Sequence, residues 1–215
     1  MYSAELLTGI SPKDIDRFLK GEHSDPHSVL GAHPAYIDGK KGIIIRDYHP
    51  DSIFARIIME GKDIPMKTSP ETPGLFWQFL PGLDFPVNYV VSFKFENGEM
   101  WERISPYRFT PVLGEQDMYY FSQGKHYELY KKMGAHLIEL DGVKGVSFAV
   151  WAPNAKRVSV IGEFNNWDGR IYPMRSMGAT GVWEIFIPGL QEGQLYKYEI
   201  KTKTDELRIK TDPFA

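Results

Sequence analysis

The sequence contains no cysteine. Disulfide staples and thiolate zinc sites are therefore excluded, and a reducing, cytoplasmic setting is expected. No apolar run approaches the ~18 residues of a membrane span, so no membrane partner is expected. Basic charge is not in excess: 25 Lys and Arg stand against 28 Asp and Glu, a formal net charge of −3. A nucleic-acid partner would need a basic face to neutralise phosphates, and none is expected here. No Asn-x-Ser/Thr sequon occurs, and the opening MYSAELLTGI carries an acidic residue without the basic stretch of a signal peptide. Nucleophile elbow, phosphate loop and zinc motif are all missing. Carboxylates occur, but nothing marks two of them as an acid/base pair. No catalytic residue, cofactor or metal is expected within the chain.

What is present is a soluble, aromatic-rich composition of 42% hydrophobic, 25% charged and 14% aromatic residues over 215 positions, enough for one large or two small domains. A short amino-terminal helix is expected. Ser11 caps it, Pro12 suits its first turn, Asp14 stands three residues after the cap, Ile15, Phe18 and Leu19 share a face, and Gly21 stops it. EHSDPHSVLGAHP then reads as loop. Within it, His23, Asp25, His27 and His33 have metal-like spacing but are read as ordinary hydrogen-bonding groups. From Gly42 the segments GIIIRDY, IFARIIME, LFWQFL, NYVVSFKFE and EMWERI are short, β-branched and aromatic, the last two joined at Asn97-Gly98. The stretch DMYYFSQGKHYELYKKMG, interrupted at Gly124 and ended at Gly134, predicts two short helices. Strands then resume with GVSFAVWA, RVSVIGEF, GVWEIFIP, LYKYEIKT and ELRIKT.

The two β regions read as copies of one unit. Pro50 and Pro153, offset by 103, close equivalent first strands. FLPGL at 79–83 and FIPGL at 186–190 are offset by 107, as are Tyr89 and Tyr196, and Pro106-Tyr107 and Pro213-Phe214. The offset grows by about four between the first and third strands, which places the extra residues within GEFNNWDG at 162–169, where the first copy has only MEGKDIP. Trp167 thus lies in a loop that the fold does not require. Trp77, Trp101, Trp151 and Trp183 lie within or beside strands and are expected in the core.

Alternation in LYKYEIK puts Tyr196, Tyr198 and Ile200 on one strand face and Lys197, Glu199 and Lys201 on the other. The first copy has Val90 in the place of Lys197. An indole beside a lysine suits a sugar, whose C–H faces stack on the ring while its hydroxyls accept from the ammonium. Asn165, Asn166 and Asp168 flank the tryptophan and are candidate polar contacts. Core packing for Trp167 and plain solvation for Lys197 are the competing readings.

VSFAVWAPNAKRVSVIGEFNNWDG, then GVWEIFIPGLQEGQLYKYEI and KTDPFA, resembles the family 48 carbohydrate-binding modules that precede the catalytic barrel of several α-glucan enzymes. DPHSVLGAHP at 25–34 and LGEQDMYYFSQGKHYELYKKMGAHLIELDGVKG at 113–145 resemble the amino-terminal region of bacterial glycogen branching enzymes. That resemblance implies a mainly β fold: two tandem immunoglobulin-like β-sandwiches joined by a short helical segment. The expected boundaries are 1–113 for the helix plus first sandwich, 114–141 for a helical linker, and 142–215 for the carbohydrate-binding sandwich. It also implies α-1,4/α-1,6 glucan (glycogen, maltooligosaccharides) as ligand, contacted by Trp167 and Lys197. The second partner would be a downstream catalytic barrel, expected after residue 215, which would hold the carboxylates that make an α-1,6 branch. Glycogen-binding regulatory relatives place a second tryptophan just after the lysine strand; here IKTKTDELRIK has none, so weak binding is expected. A free-standing glycogen-binding regulatory protein and purely structural modules remain as alternative readings.

Overall fold

A computed structural model of the chain describes residues 2–214. The chain divides into two compact units: 1–20 with 27–108, and 21–26 with 109–215. Three features correct the expected boundaries. The division falls after Arg108 rather than after residue 113, and Gly21–Pro26 belongs to the second unit. In addition, strand β8 (Gly134–Leu140) lies inside the stretch read as linker and pairs with β9 (Val143–Trp151) from Gly134↔Ala149 to Leu140↔Val143.

In the first unit, α1 (Pro12–Leu19) starts as its sequence dictates. The Ser11 hydroxyl accepts from the Asp14 amide at 3.3 Å, and the Asp14 carboxylate accepts from the Ser11 amide at 3.1 Å, a reciprocal capping box. One sheet has the order β1-β2-β5 (Gly31–Ile37, Lys40–Tyr48, Leu75–Pro81), and the other β4-β3-β6-β7 (Lys62–Pro65, Phe54–Met59, Val90–Lys94, Met100–Arg103), all antiparallel. Strand β1 falls in sequence that reads as loop. Its Pro34 is tolerated because β1 is an edge strand, where a missing N–H breaks no second ladder. Ile43, Ile45, Ala55, Ile57, Phe76, Val91 and Phe93 fill the space between the sheets.

Every residue of β2 from Gly42 to Asp47 is buried, so its outer face is covered as well. Ile44 is sealed there, and the Phe18 ring of α1 meets Tyr48 edge-on at 5.1 Å. Arg46, fully buried on that face, donates to the carbonyls of Leu6 (3.0 Å) and Thr8. Burial without a carboxylate partner pulls its pKa down to about 10.

The second unit repeats this topology. Its sheets have the orders β11-β12-β9-β8 and β10-β13-β14, with β10 Ala155–Gly162, β11 Arg175–Ser176, β12 Val182–Pro188, β13 Tyr196–Thr202 and β14 Leu207–Lys210. Strands β8, β9 and β12 take the places of β1, β2 and β5, and β10, β13 and β14 those of β3, β6 and β7. Small details recur at the same offset. His33 and His136, 103 apart, each bond through Nε2 to the carbonyl three residues earlier at 2.9 Å. The helical segment is shorter than expected. Only α2 (Glu115–Ser122) is a helix, Gly124 turns the chain in the left-handed region, and Leu129–Lys131 is a single 3-10 turn. Met118, Phe121 and Leu129 from this segment pack against Ala149 and Val182, sealing most of the outer face of β9 and β12.

One charged residue on that face requires a partner set. Glu184 occupies the place that buried Trp77 holds in the first unit, 107 residues earlier. Its carboxylate accepts from the amides of Val112 (3.2 Å) and Leu113 (2.9 Å) and from Arg175 Nε (2.9 Å), while Arg175 Nη1 donates to the Phe109 carbonyl at 3.2 Å. Burial raises the pKa of Glu184 and lowers that of Arg175; the partner charges oppose both shifts. Replacement Glu184→Ala leaves a buried guanidinium and two amides unpaired. It is expected to cost about 3–5 kcal/mol, a fall in melting temperature of roughly 6 °C or more, measurable by circular dichroism.

Candidate functional site

The loop that follows β10 differs from its counterpart in the first unit. There, β3 and β4 are joined by a tight turn at Glu60 and Gly61, both with positive φ (50° and 73°). In the second unit the chain makes a 3-10 turn at Glu163–Asn165, then passes through two successive left-handed residues, Asn166 (φ 53°) and Trp167 (φ 59°). Asparagine tolerates this region; a tryptophan there is strained and needs a surrounding structure that enforces it. Three backbone bonds do so: Asn166 N to Glu163 O (3.3 Å), Trp167 N to Gly162 O (2.9 Å) and Asp168 N to Asn165 O (3.0 Å). The size of the insertion can be read from the pairing. Met66 N donates to Ala55 O in the first unit, and Met174 N to Val158 O in the second. These donors are 108 apart and their acceptors 103, so the loop gains five residues. One is lost again before β12, since Lys67↔Trp77 corresponds to Arg175↔Glu184.

Beyond Trp167 the loop folds over the outer face of β10 and β13. Val160 N donates to Tyr172 O and Met174 N to Val158 O, so residues 172–174 line the free edge of β10. Gly169 sits so close to Glu199 that a Cβ there would lie 2.1 Å from its Oε1. Glu199 is held in turn by Arg157. Lys201 on the same face reaches Glu22 at 3.6 Å. Of the three residues expected on the polar face, Glu199 and Lys201 are therefore largely covered, while Lys197 stays exposed. Lys197 pairs directly with Ile161, so the two side chains share the outer face. The next residue, Gly162, receives the Trp167 amide. Trp167 and Lys197 thus arise at the same end of the same two strands. Among the described residues Lys197 makes no ion pair.

The other predicted residues separate by role. Trp167 is 41% exposed, and Asn166 is exposed at its left-handed position. Asn165 is 3% exposed and faces inward. Its Oδ1 accepts from Gly162 N at 2.9 Å, and its Nδ2 donates to Val160 O at 2.9 Å and to Asp168 O at 3.3 Å. With both ends of the amide spent, it shapes the loop and is removed from the candidate sugar contacts. Asp168 accepts from the Arg170 amide at 2.8 Å and grips the Arg170 guanidinium through both oxygens. Its charge is matched within the loop, and Arg170, not anticipated from the sequence, joins the exposed surface; its place two residues after Asp168 was the available signal. Trp77 and Trp183 are buried and Trp101 packs on the first core, but Trp151 is 58% exposed, which corrects its expected place in the core. It ends β9 on the outer face, its Nε1 donating to Thr180 O at 3.2 Å.

Two of the histidines with metal-like spacing are engaged by protein groups. His23 Nδ1 accepts from the Asp25 amide at 3.1 Å, and the His27 ring meets Tyr107 edge-on at 5.1 Å. Among the described residues no cluster of three metal-ligating side chains forms, and no helix is long and apolar enough to cross a membrane.

Two family models match successive stretches of the chain. Residues 11–107 match the N-terminal domain of the alpha-1,4-glucan branching enzyme GlgB, and residues 132–215 match carbohydrate-binding module 48, the isoamylase N-terminal domain. The chain belongs to the amino-terminal region of the GlgB family of branching enzymes, its second sandwich being the family 48 module. A 1,4-alpha-glucan branching enzyme GlgB of Pseudomonas syringae pv. syringae is 44% identical over 204 residues, covering 94% of this chain. The protein of that name from Nostoc sp. (strain PCC 7120) is 43% identical over 214 residues, covering 97%. The chain spans only 27% of the length of either relative. Among solved structures, a pullulanase from Anoxybacillus sp. LM18-11 aligns with 86% of the chain and 26% of its own, at 17% identity and a TM-score of 0.31. Every strand pairing among the described residues is antiparallel, so neither unit is a catalytic (β/α)8 barrel.

The two neighbouring asparagines are expected to respond in opposite ways. Asn165→Ala orphans the Gly162 amide and the Val160 carbonyl and should cost about 1–3 kcal/mol of stability. Asn166→Gly keeps the left-handed conformation without strain and should change stability by less than about 0.5 kcal/mol. Denaturant unfolding of both variants checks the assignment.

Proposed function

We propose that the second sandwich binds α-1,4-glucan weakly through the Trp167 loop, and that both units orient a catalytic barrel that follows them in the whole enzyme. The observation that carries the reading is an indole held half-exposed on a strained backbone, in a loop that the sister sandwich lacks. The glucose ring stacks on Trp167, Lys197 donates to its hydroxyls, and Asn166 and Asp168 lie alongside. One aromatic stack with a few exposed hydrogen bonds supports a dissociation constant on the order of millimolar, about −4 kcal/mol. On a polymer such a site still acts, because a tethered chain has a high local concentration at neighbouring sites.

The relatives are named 1,4-alpha-glucan branching enzymes, and we assign the same reaction to the whole protein: cleavage of an α-1,4 linkage and transfer of the cut segment to a 6-hydroxyl. Such retaining chemistry needs a carboxylate nucleophile and a carboxyl acid/base about 5–5.5 Å apart across the scissile bond. We place that pair in the barrel outside the two sandwiches, and expect the 215-residue chain alone to be inactive. The absence of cysteine supports a cytoplasmic setting.

Two measurements test this reading. Trp167→Ala should weaken maltoheptaose binding about five- to tenfold, the loss of one stack worth about 1 kcal/mol, while the melting temperature changes little because the indole is 41% exposed and alanine keeps the same backbone conformation. Unchanged binding, or a fall in melting temperature of the size expected for a core tryptophan, refutes the platform. The pure chain should also leave the iodine colour of amylose unaltered; loss of long linear glucan would refute the division of labour.

A further inference from the structure

The mouth of the second sandwich, beside the Trp167 loop, holds a cleft of about 370 Å³. It is lined by Leu137 of β8, Phe148 of β9, Phe164, Tyr196 of β13, and Gln191 and Gln194. Resting on the reading that this sandwich binds α-glucan, we propose that the cleft is a second sugar subsite, taking a terminal glucosyl or maltosyl unit of an α-1,4-glucan.

The first sandwich shows that the fold does not require such an opening. There the equivalent turn is sealed, with Leu83 and Val87 packed against the core. In the second sandwich Gly193 and Gln194 stand where Pro86 and Val87 would be, 107 residues on. Phe164 comes from the inserted loop, three residues before Trp167. The opening and the tryptophan are thus both departures of the second copy alone.

The lining also defines the ligand. Tyr196, half-buried, and Leu137, 58% exposed, offer apolar surface to the C–H face of a ring, and buried Phe148 backs Tyr196 edge-on at 4.9 Å. Gln194 Oε1 accepts from the Gln191 amide at 2.9 Å, which fixes its carboxamide and leaves Nε2 to donate. Gln191 is exposed, and its carboxamide both donates and accepts. The only charged lining residue is Glu192, which repels phosphate and carboxylate, so the ligand is a neutral polyhydroxyl ring. The volume is at the small end of the ~300–1,000 Å³ of ligand clefts, room for one or two rings and not for a glucan coil. Val146 and Phe148 in its lining are both buried, so core side chains form a floor against which a chain end can rest.

The test is a map of backbone amide signals by nuclear magnetic resonance, on the whole chain, titrated with maltose and then with maltoheptaose. Wild type and Trp167→Ala should both show maltose-dependent shifts at residues 190–196. Gln194→Val, which installs the residue of the first sandwich, should weaken those shifts about fivefold, the loss of one hydrogen bond. Gln191→Ala serves the same purpose should Gln194→Val not fold, and the wild-type map decides the matter without either. Shifts at 190–196 that persist in Trp167→Ala uphold the cleft even where the tryptophan platform fails. Shifts confined to residues 163–169 and Lys197 overturn the cleft and leave the platform standing. No shift with either sugar overturns both.

Discussion

The constraint on which this structure depends is that its central sheets are apolar on both faces. In β2, β9 and β12 the buried run covers at least six consecutive residues rather than alternating with exposed ones. The opposing sheet seals one face; something outside the sandwich must seal the other. In the first unit this is the amino-terminal segment, with Leu6 and Ile15 buried and Phe18 on Tyr48. In the second it is α2 and the turn after it, with Met118, Phe121 and Leu129. Two charged side chains caught beneath such covers bring their own partners: backbone carbonyls for Arg46, and Arg175 with two amides for Glu184. The helices flanking the strands are therefore part of the folding problem itself.

Once both faces are sealed, the strand connections are free to vary, and the loop after β10 shows how far. Five added residues carry two left-handed non-glycine positions, a conformation that costs on the order of 1–3 kcal/mol per residue. The buried Asn165 side chain offsets this by binding the Gly162 amide and the Val160 carbonyl where the turn begins and the Asp168 carbonyl where it ends. A rigid inner residue thus fixes the angle at which a flat outer residue meets solvent. This is the arrangement expected of a weak binding surface that must be ready-made, since little interaction energy is available for ordering it.

Much of this was legible in the sequence, and the failures have physical causes. The duplication, the strand segments and the insertion followed from turn residues at constant offset, because tight turns tolerate few alternatives. Strands β1 and β8 were missed because GAHPAYI and GAHLIEL begin with glycine and carry proline or histidine; only their edge position makes that composition workable. Asn165 and Asn166 are adjacent asparagines that composition cannot tell apart, yet a left-handed φ at the second turns the first inward. Trp151 reads as core because it ends an apolar strand, but the cover over that face stops short of it. The closing of the outer faces depends on contacts between residues far apart in sequence, which local patterns do not record.

The segment Gly21–Pro26 gives the second sandwich a history that its sequence boundaries conceal. Ser176 donates to the Ser24 carbonyl at 2.7 Å, Glu22 meets Lys201, and Gly21 lies where any Cβ would come within 2.4 Å of the Arg157 guanidinium. These six residues act as a strap on the face that bears Glu199 and Lys201, and they are made more than eighty residues before the strands they secure. A carbohydrate-binding module excised at its apparent start would lack the strap. Its arginine and lysine would be uncovered, and the affinity or stability measured would belong to a different surface. During synthesis, likewise, the strap emerges first and waits for its sheet, so the second sandwich cannot be completed as an autonomous downstream block.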